Sequence, residues 1–137
     1  MYCESEMNLE VRYYETDKMG IVHHSNYIRY FECARHQFLA DIGTPVVEIE
    51  RRGIELPVVN VEAHYLSSAR MGDTLRIVSK VVKEPMARIE VLEEIYNQNN
   101  KLLCEGKVTV GFLRQETGRP TRVPSYLLEA LKKASRD

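Results

Sequence analysis

The chain has few cysteines and none at metal-binding or redox spacing. Cys3, Cys33 and Cys104 are odd in number, far apart and form no Cys-x-x-Cys pair. That excludes a zinc ribbon and a disulfide scaffold, and predicts reduced thiols in a reducing compartment. No block of lysine or arginine stands out among 19 basic and 20 acidic residues, and the formal net charge is −1. Nothing therefore marks a nucleic-acid or anionic-membrane surface. No apolar run approaches the ~18 residues of a membrane span. The stretch Met1-Tyr2-Cys3-Glu4-Ser5-Glu6 lacks the charged and apolar regions of a signal peptide. These absences predict a cytosolic protein with no membrane span and no nucleic-acid partner. Internal repeats, low-complexity tracts and long linkers are also missing, so the expectation is one domain over residues 1–137. A chain of this size buries roughly 70% of its unfolded surface and needs no covalent or metal staple.

What is present is a change of period along the chain. Residues 8–14 alternate Leu9, Val11 and Tyr13 with Glu10, Arg12 and Tyr14, which predicts a first strand with Tyr13 facing inward. A polar loop over 15–24 contains Gly20, free to take positive φ. A helix is predicted from about Asn26 to Ile42, with Ser25 or Asn26 as cap, Gly43 as stop and Pro45 beyond. Its apolar face is Tyr27, Tyr30, Phe31, Ala34, Phe38 and Ile42, widened by Leu39. Residues 46–56 are mixed: Val46, Val47 and Ile49 can start a short helix, and Arg51-Arg52-Gly53 can end it or form a turn. From Pro57 the period is two. Four strands follow, around Val59–Tyr65, Leu75–Val81, Ile89–Ile95 and Leu102–Phe112, and neighbours are expected to pair antiparallel. Asn97–Asn100 reads as a hairpin turn. A final helix after Pro124 buries Leu127, Leu131 and Ala134. The fold class is α+β: one amphipathic helix covered by an antiparallel sheet. The open face and edges of such a sheet predict association of two subunits.

The stretch from Val11 to Arg35 carries the chemistry. It places a carboxylate, Asp17, just ahead of a helix whose leading N–H groups are free to stabilise an oxyanion. His24 is a candidate acid or base, or a group that orients water or the carboxylate. Tyr13 offers a hydroxyl to Asp17 or to substrate. His23-His24 with Asp17 supplies no third or fourth ligand, so no metal is expected. His36 and His64 read as ordinary helix and strand residues, Glu32 and Arg35 as a structural pair on the helix, and Cys33 and Cys104 as small core residues.

The segment Tyr13-Tyr14-Glu15-Thr16-Asp17-x-x-Gly20-x-Val22-x-His24-x-x-Tyr27, followed by Phe31-Glu32-x-Ala34-Arg35, resembles the signature of the 4-hydroxybenzoyl-CoA thioesterase family. It is most similar to the acyl-CoA thioester hydrolase branch associated with the Tol–Pal system. The resemblance extends from about Leu9 to Leu131. It implies a hot dog fold, in which a curved antiparallel sheet wraps a long central helix, here with a short C-terminal helix. By the same resemblance Asp17 is the catalytic carboxylate, His24 the branch's histidine and Tyr13 its accompanying tyrosine. The backbone N–H near His24 would face the thioester oxygen. The implied activity is hydrolysis of an acyl-CoA or acyl carrier protein thioester in a homodimer or homotetramer. No cofactor is implied, because coenzyme A is part of the substrate. Arg70, Arg88, Arg119 and Arg122 are available to its phosphates, without assignment.

Two other readings share these residues. A hot dog hydratase or dehydratase combines an aspartate and a histidine about six residues apart with a glycine between them; Asp17 and His24 are seven apart around Gly20. A non-catalytic acyl-thioester binding protein would keep the fold without turnover. Asp17 itself can serve as nucleophile or as general base on water.

Overall fold

The apolar stripe of the long helix finds its partner in an antiparallel sheet. A computed structural model describes residues 1–136. In chain order they form β1 (Cys3–Glu10), α1 (Ser25–Asp41), α2 (Val46–Arg51), β2 (Ile54–Glu55), β3 (Val58–Tyr65), β4 (Thr74–Val81), β5 (Arg88–Tyr96), β6 (Leu102–Gly111), β7 (Leu113–Arg114) and α3 (Ser125–Ala134). The main sheet has five strands in the order β1-β4-β5-β6-β3, and β2 pairs with β7. The class is α+β, as the change of period predicts.

α1 is 17 residues long, or about 25 Å at 1.5 Å per residue. It buries Tyr27, Tyr30, Phe31, Ala34, Phe38 and Leu39, the stripe expected from the sequence apart from Ile42, which is half-buried and caps the helix. Each large apolar side chain taken from water contributes roughly 1.5–3 kcal/mol. Gly43 ends the helix at φ +88°, and the Thr44 N–H closes it on the Leu39 carbonyl at 2.9 Å. The sheet meets this face with Leu75, Ile77, Ile89, Val91, Ile95, Cys104, Val108 and Val110.

One row across the sheet differs from its neighbours. Ser79 pairs with Glu93, Glu93 with Gly106 and Gly106 with Ala63. Gly106 lets the Phe31 ring lie on the backbone: a Cβ there would sit 2.7 Å from the ring. Beside it, Glu93 is 1% exposed. Its Oε2 accepts the Ser79 hydroxyl at 2.8 Å, and its Oε1 has no partner. Burial pushes the Glu93 carboxyl up to about 8, against the Ser79 hydrogen bond and the Arg35 charge. Burial in turn lowers the Arg35 pKa, with Glu32 and Glu93 opposing the shift. The expected Glu32–Arg35 pair is thus a longer-range attraction shared with Glu93. Among the described residues no ion pair within 4.0 Å joins Arg35 to either carboxylate.

Four expectations need correction. The last helix buries Leu127 and Leu131, but Ala134 at its end is exposed. The first strand ends at Glu10, and residues 13–15 form one turn of 3-10 helix. The alternation continues into that segment, but the Glu15 carboxylate captures the Arg12 N–H at 2.8 Å and folds the chain back. Tyr13 consequently faces solvent, 79% exposed, instead of the core. β3 and β4 are consecutive yet unpaired, because β3 joins β6 at one edge and β4 joins β1 near the other. The connection between them lies against the start of α1, where the Ala69 N–H reaches the Tyr27 hydroxyl. Cys33 lies on the exposed side of α1, whereas Cys104 is buried.

Replacing Gly106 with alanine is expected to destabilise the fold by about 1–3 kcal/mol through overpacking. Denaturant unfolding of G106A against the wild type measures it. The Glu93 carboxyl has its own pH signature. Its pKa is raised in the folded state, so the unfolded chain loses that proton first, and stability falls as pH rises from about 4.5 towards 8. Thermal melts of E93Q across that window are expected to show a smaller decline than the wild type.

Candidate active site

The loop before α1 is built by hydrogen bonds that its own sequence supplies. The Asp17 N–H donates to the Ile21 carbonyl at 2.8 Å, and the Gly20 N–H to the Asp17 carbonyl at 3.0 Å. Gly20 takes φ +77° at this turn, a region that disfavours residues with a Cβ. Thr16 and Val22 face each other across it, and Ile21 bridges to Arg70 of the crossover. The Val22 N–H donates to the Ala69 carbonyl at 2.8 Å, and the Tyr27 hydroxyl accepts the Ala69 N–H at 2.9 Å. The loop, the start of α1 and the crossover are thereby joined.

Glu15 anchors this arrangement from below, 6% exposed. Its carboxylate accepts the Arg12 N–H and guanidinium, each at 2.8 Å, and the Tyr30 hydroxyl at 3.0 Å. Its backbone carbonyl accepts the Asn26 side-chain amide at 2.9 Å and the His23 N–H at 3.0 Å. Burial opposes ionisation of Glu15, but the bonds from Arg12 and Tyr30 outweigh it and hold the carboxyl below its ordinary value.

Above this anchor is an open crevice of about 350 Å³, lined by Asp17, Ile21, Val22, His23, His24, Tyr27, Tyr65, Leu66, Ser67 and Ser68. Asp17 and His24 share it. The Asp17 Oδ1 accepts the Met19 N–H at 2.8 Å, and Oδ2 has no hydrogen bond among the described residues. The Asn26 and Tyr27 N–H groups donate to the His23 and His24 carbonyls at 2.9 and 3.3 Å. The Ser25 N–H donates to His23 Nδ1 at 3.2 Å. The His24 N–H alone among these four has no acceptor among the described residues. A carboxylate oxygen and an unsatisfied amide at the positive end of a helix can together activate and hold a polarised carbonyl. Tyr13 is outside the crevice. Cys104 offers no alternative nucleophile, since burial pushes its thiol up to about 11. No group of three or more His, Cys, Asp or Glu poised to hold a metal exists among the described residues.

Tyr65 lines the crevice without any signal in the local sequence. Its ring lies edge-on to His24 at 6.3 Å and against Tyr27 at 5.3 Å. Its hydroxyl makes a long 3.4 Å bond to the His24 carbonyl. Alternation shows only that Tyr65 closes a strand; that this strand ends beside the helix follows from its pairing with β6. Glu15 had a visible signal in its three-residue spacing from Arg12.

A profile of the thioesterase-like superfamily matches residues 11–131. The chain belongs to the thioesterase-like superfamily. Within it, the chain is 31% identical over 123 residues to the chloroplastic acyl-acyl carrier protein thioesterase ATL2 of Arabidopsis thaliana, covering 89% of this chain and 65% of that protein. It therefore spans slightly less than two thirds of that relative. It is 26% identical over 133 residues to the acyl-CoA thioesterase YbgC of Helicobacter pylori, covering 91% of this chain and 98% of that protein. The crystal structure of DHNA-CoA thioesterase from Staphylococcus aureus superposes with a TM-score of 0.85 at 30% identity, covering 96% of this chain and 89% of the other. The hot dog architecture is thus shared with solved members of the superfamily.

Glu15 is expected to stabilise the protein more at neutral than at acid pH. Its folded pKa is depressed, so its contribution is present above the unfolded value and is lost as pH falls through the folded one. The gap in melting temperature between wild type and E15Q should be widest near pH 7 and narrow towards pH 3.

Proposed function

We propose that this protein hydrolyses acyl thioesters, with Asp17 supplying the carboxylate and the His24 N–H the oxyanion donor. The observation that carries the reading is their shared crevice at the start of α1, in a chain of the thioesterase-like superfamily. A thioester carbonyl is poorly resonance-stabilised and its thiolate leaves readily, so one carboxylate and one oxyanion site suffice. Asp17 Oδ2 adds to the carbonyl carbon, or takes a proton from a water that does so. Negative charge gathers on the carbonyl oxygen beside the His24 N–H. The C–S bond then breaks, releasing the thiol and, after hydrolysis, the free acid. The His24 imidazole is the group nearest in sequence to protonate the thiolate or orient the water. The mechanism leaves Tyr13 aside, because its exposed ring lies outside the crevice.

Relatives named for acyl-CoA and for acyl carrier protein substrates support the thioester class without choosing the carrier. The histidine at position 24 supports the finer placement in the branch associated with the Tol–Pal system. The odd number and wide spacing of the cysteines support a cytosolic site for the reaction. We also propose assembly into a homodimer, or a homotetramer built from it, through β3. Among the described residues that strand is paired only with β6, and its Val58, Val59 and Tyr65 are nearly half exposed.

D17N is expected to keep the fold and lose about 100-fold or more of its turnover. Thiol release from short, medium, long and aromatic acyl-CoAs measures this, and full activity in the variant rejects the role. Loss of the enoyl band of crotonyl-CoA without thiol release would favour a hydratase. Label found on Asp17 after a single turnover in ¹⁸O-water marks the covalent route in which water opens the mixed anhydride at the aspartyl carbonyl.

A further inference from the structure

The helix that opens the crevice has no serine, threonine, asparagine or aspartate side chain at its cap. Ser25 and Asn26 fit that task by residue type, but the Asn26 amide is committed to the Glu15 carbonyl. The cap residue is His24, which makes no side-chain cap bond, and the residue before it, His23, supplies the acceptor instead. Its Nδ1 lies 3.2 Å from the Ser25 backbone nitrogen and 2.8 Å from the Ser25 hydroxyl. Its own N–H is fixed on Glu15. Its ring stacks on His24 at 4.2 Å with 29° between the planes. Six residues earlier the loop uses the same two-residue reach, with the Asp17 carboxylate accepting the Met19 N–H.

We propose that His23 is a positioning residue: its imidazole Nδ1 accepts the Ser25 N–H and so leaves the His24 N–H as the single unsatisfied amide facing the crevice. This rests on the thioesterase reading of the crevice. The first amides of a helix have no partners within it. Here those of Asn26 and Tyr27 are satisfied by the loop, that of Ser25 by His23, and that of His24 by nothing. With alanine at 23 the Ser25 N–H is released. Two adjacent amides then compete for water and for the carbonyl oxygen, and the 23–25 backbone loses the contact that fixes its angle. The donor is aimed where charge develops in the transition state, so the loss falls on turnover more than on substrate binding. Asparagine can replace the acceptor, since its carbonyl oxygen bonds the N–H two residues on. It cannot replace the ring stack.

The experiment compares wild type, H23A, H23N and D17N, with the most active acyl-CoA of the panel as substrate. Turnover of H23A is expected to fall at least fivefold with KM within twofold, while H23N stays within threefold of wild type. Amide hydrogen exchange by NMR, which needs no activity, is expected to show the Ser25 N–H less protected in H23A and protected again in H23N. His23 is exposed, and thermal melts check that each variant is folded. H23F, which keeps a ring but offers no acceptor, replaces H23A should that variant unfold. A smaller loss of turnover, unchanged Ser25 protection in H23A, or an H23N as impaired as H23A overturns the proposal. Failure of the thioesterase reading looks different, because wild type and D17N would then be equally inactive while the Ser25 exchange comparison remains informative.

Discussion

The site depends on one buried carboxylate that has no evident part in the chemistry. Glu15 holds a guanidinium, a phenol and a backbone amide with its side chain, and two further donors with its carbonyl. Taking a carboxylate out of water is costly unless its oxygens find donors. Here the donors come from both sides of the loop: Arg12 before it, His23, Asn26 and Tyr30 after it. The desolvated charge therefore orders the loop that carries Asp17 and fixes it to the helix. Without it, Asp17 would sit on a short turn whose other hydrogen bonds are exposed to competition from water.

A second buried carboxyl has the opposite character. Glu93 lies under α1 with a single serine donor and with Arg35 too distant to pair, so burial dominates and the group favours its neutral form. Glu15 and Glu93 have the same side chain, but Glu93 is buried more deeply and finds one donor where the Glu15 carboxylate finds three, so their ionisation is driven in opposite directions. Glu15 works as an anion and Glu93 as a neutral filler of the row it shares with Ser79, Gly106 and Ala63.

The helix, the sheet strands and the turns at Gly20, Gly43 and Asn97–Asn100 were legible because each is written in local period or in residues that tolerate unusual backbone angles. Asp17 and His24 were legible as a pattern ahead of a helix, and they do line one crevice. Less legible were features set by distant partners. Tyr13 continues an alternation that the Arg12–Glu15 contact cuts short. β3 looks like a neighbour of β4, and only its pairing with β6 reveals it as an edge. Tyr65 and the two serines after it reach the crevice for the same reason. Arg35 is polar, yet it lies within the buried stripe, where Glu93 faces it from the sheet.

The crossover from β3 to β4 has a consequence for how the molecule matures. The contacts that close the crevice join residues about 40 positions apart: Tyr27 to Ala69 and His24 to Tyr65. They also require β3 to have found β6, a pairing that reaches from Val58 to Val110. Such distant closures carry the largest chain-entropy cost and tend to come late in folding. The helix can form early from local bonds, whereas the cleft exists only after the far edge of the sheet has docked. A partly folded chain would therefore keep its helical signal while lacking any place for a ligand.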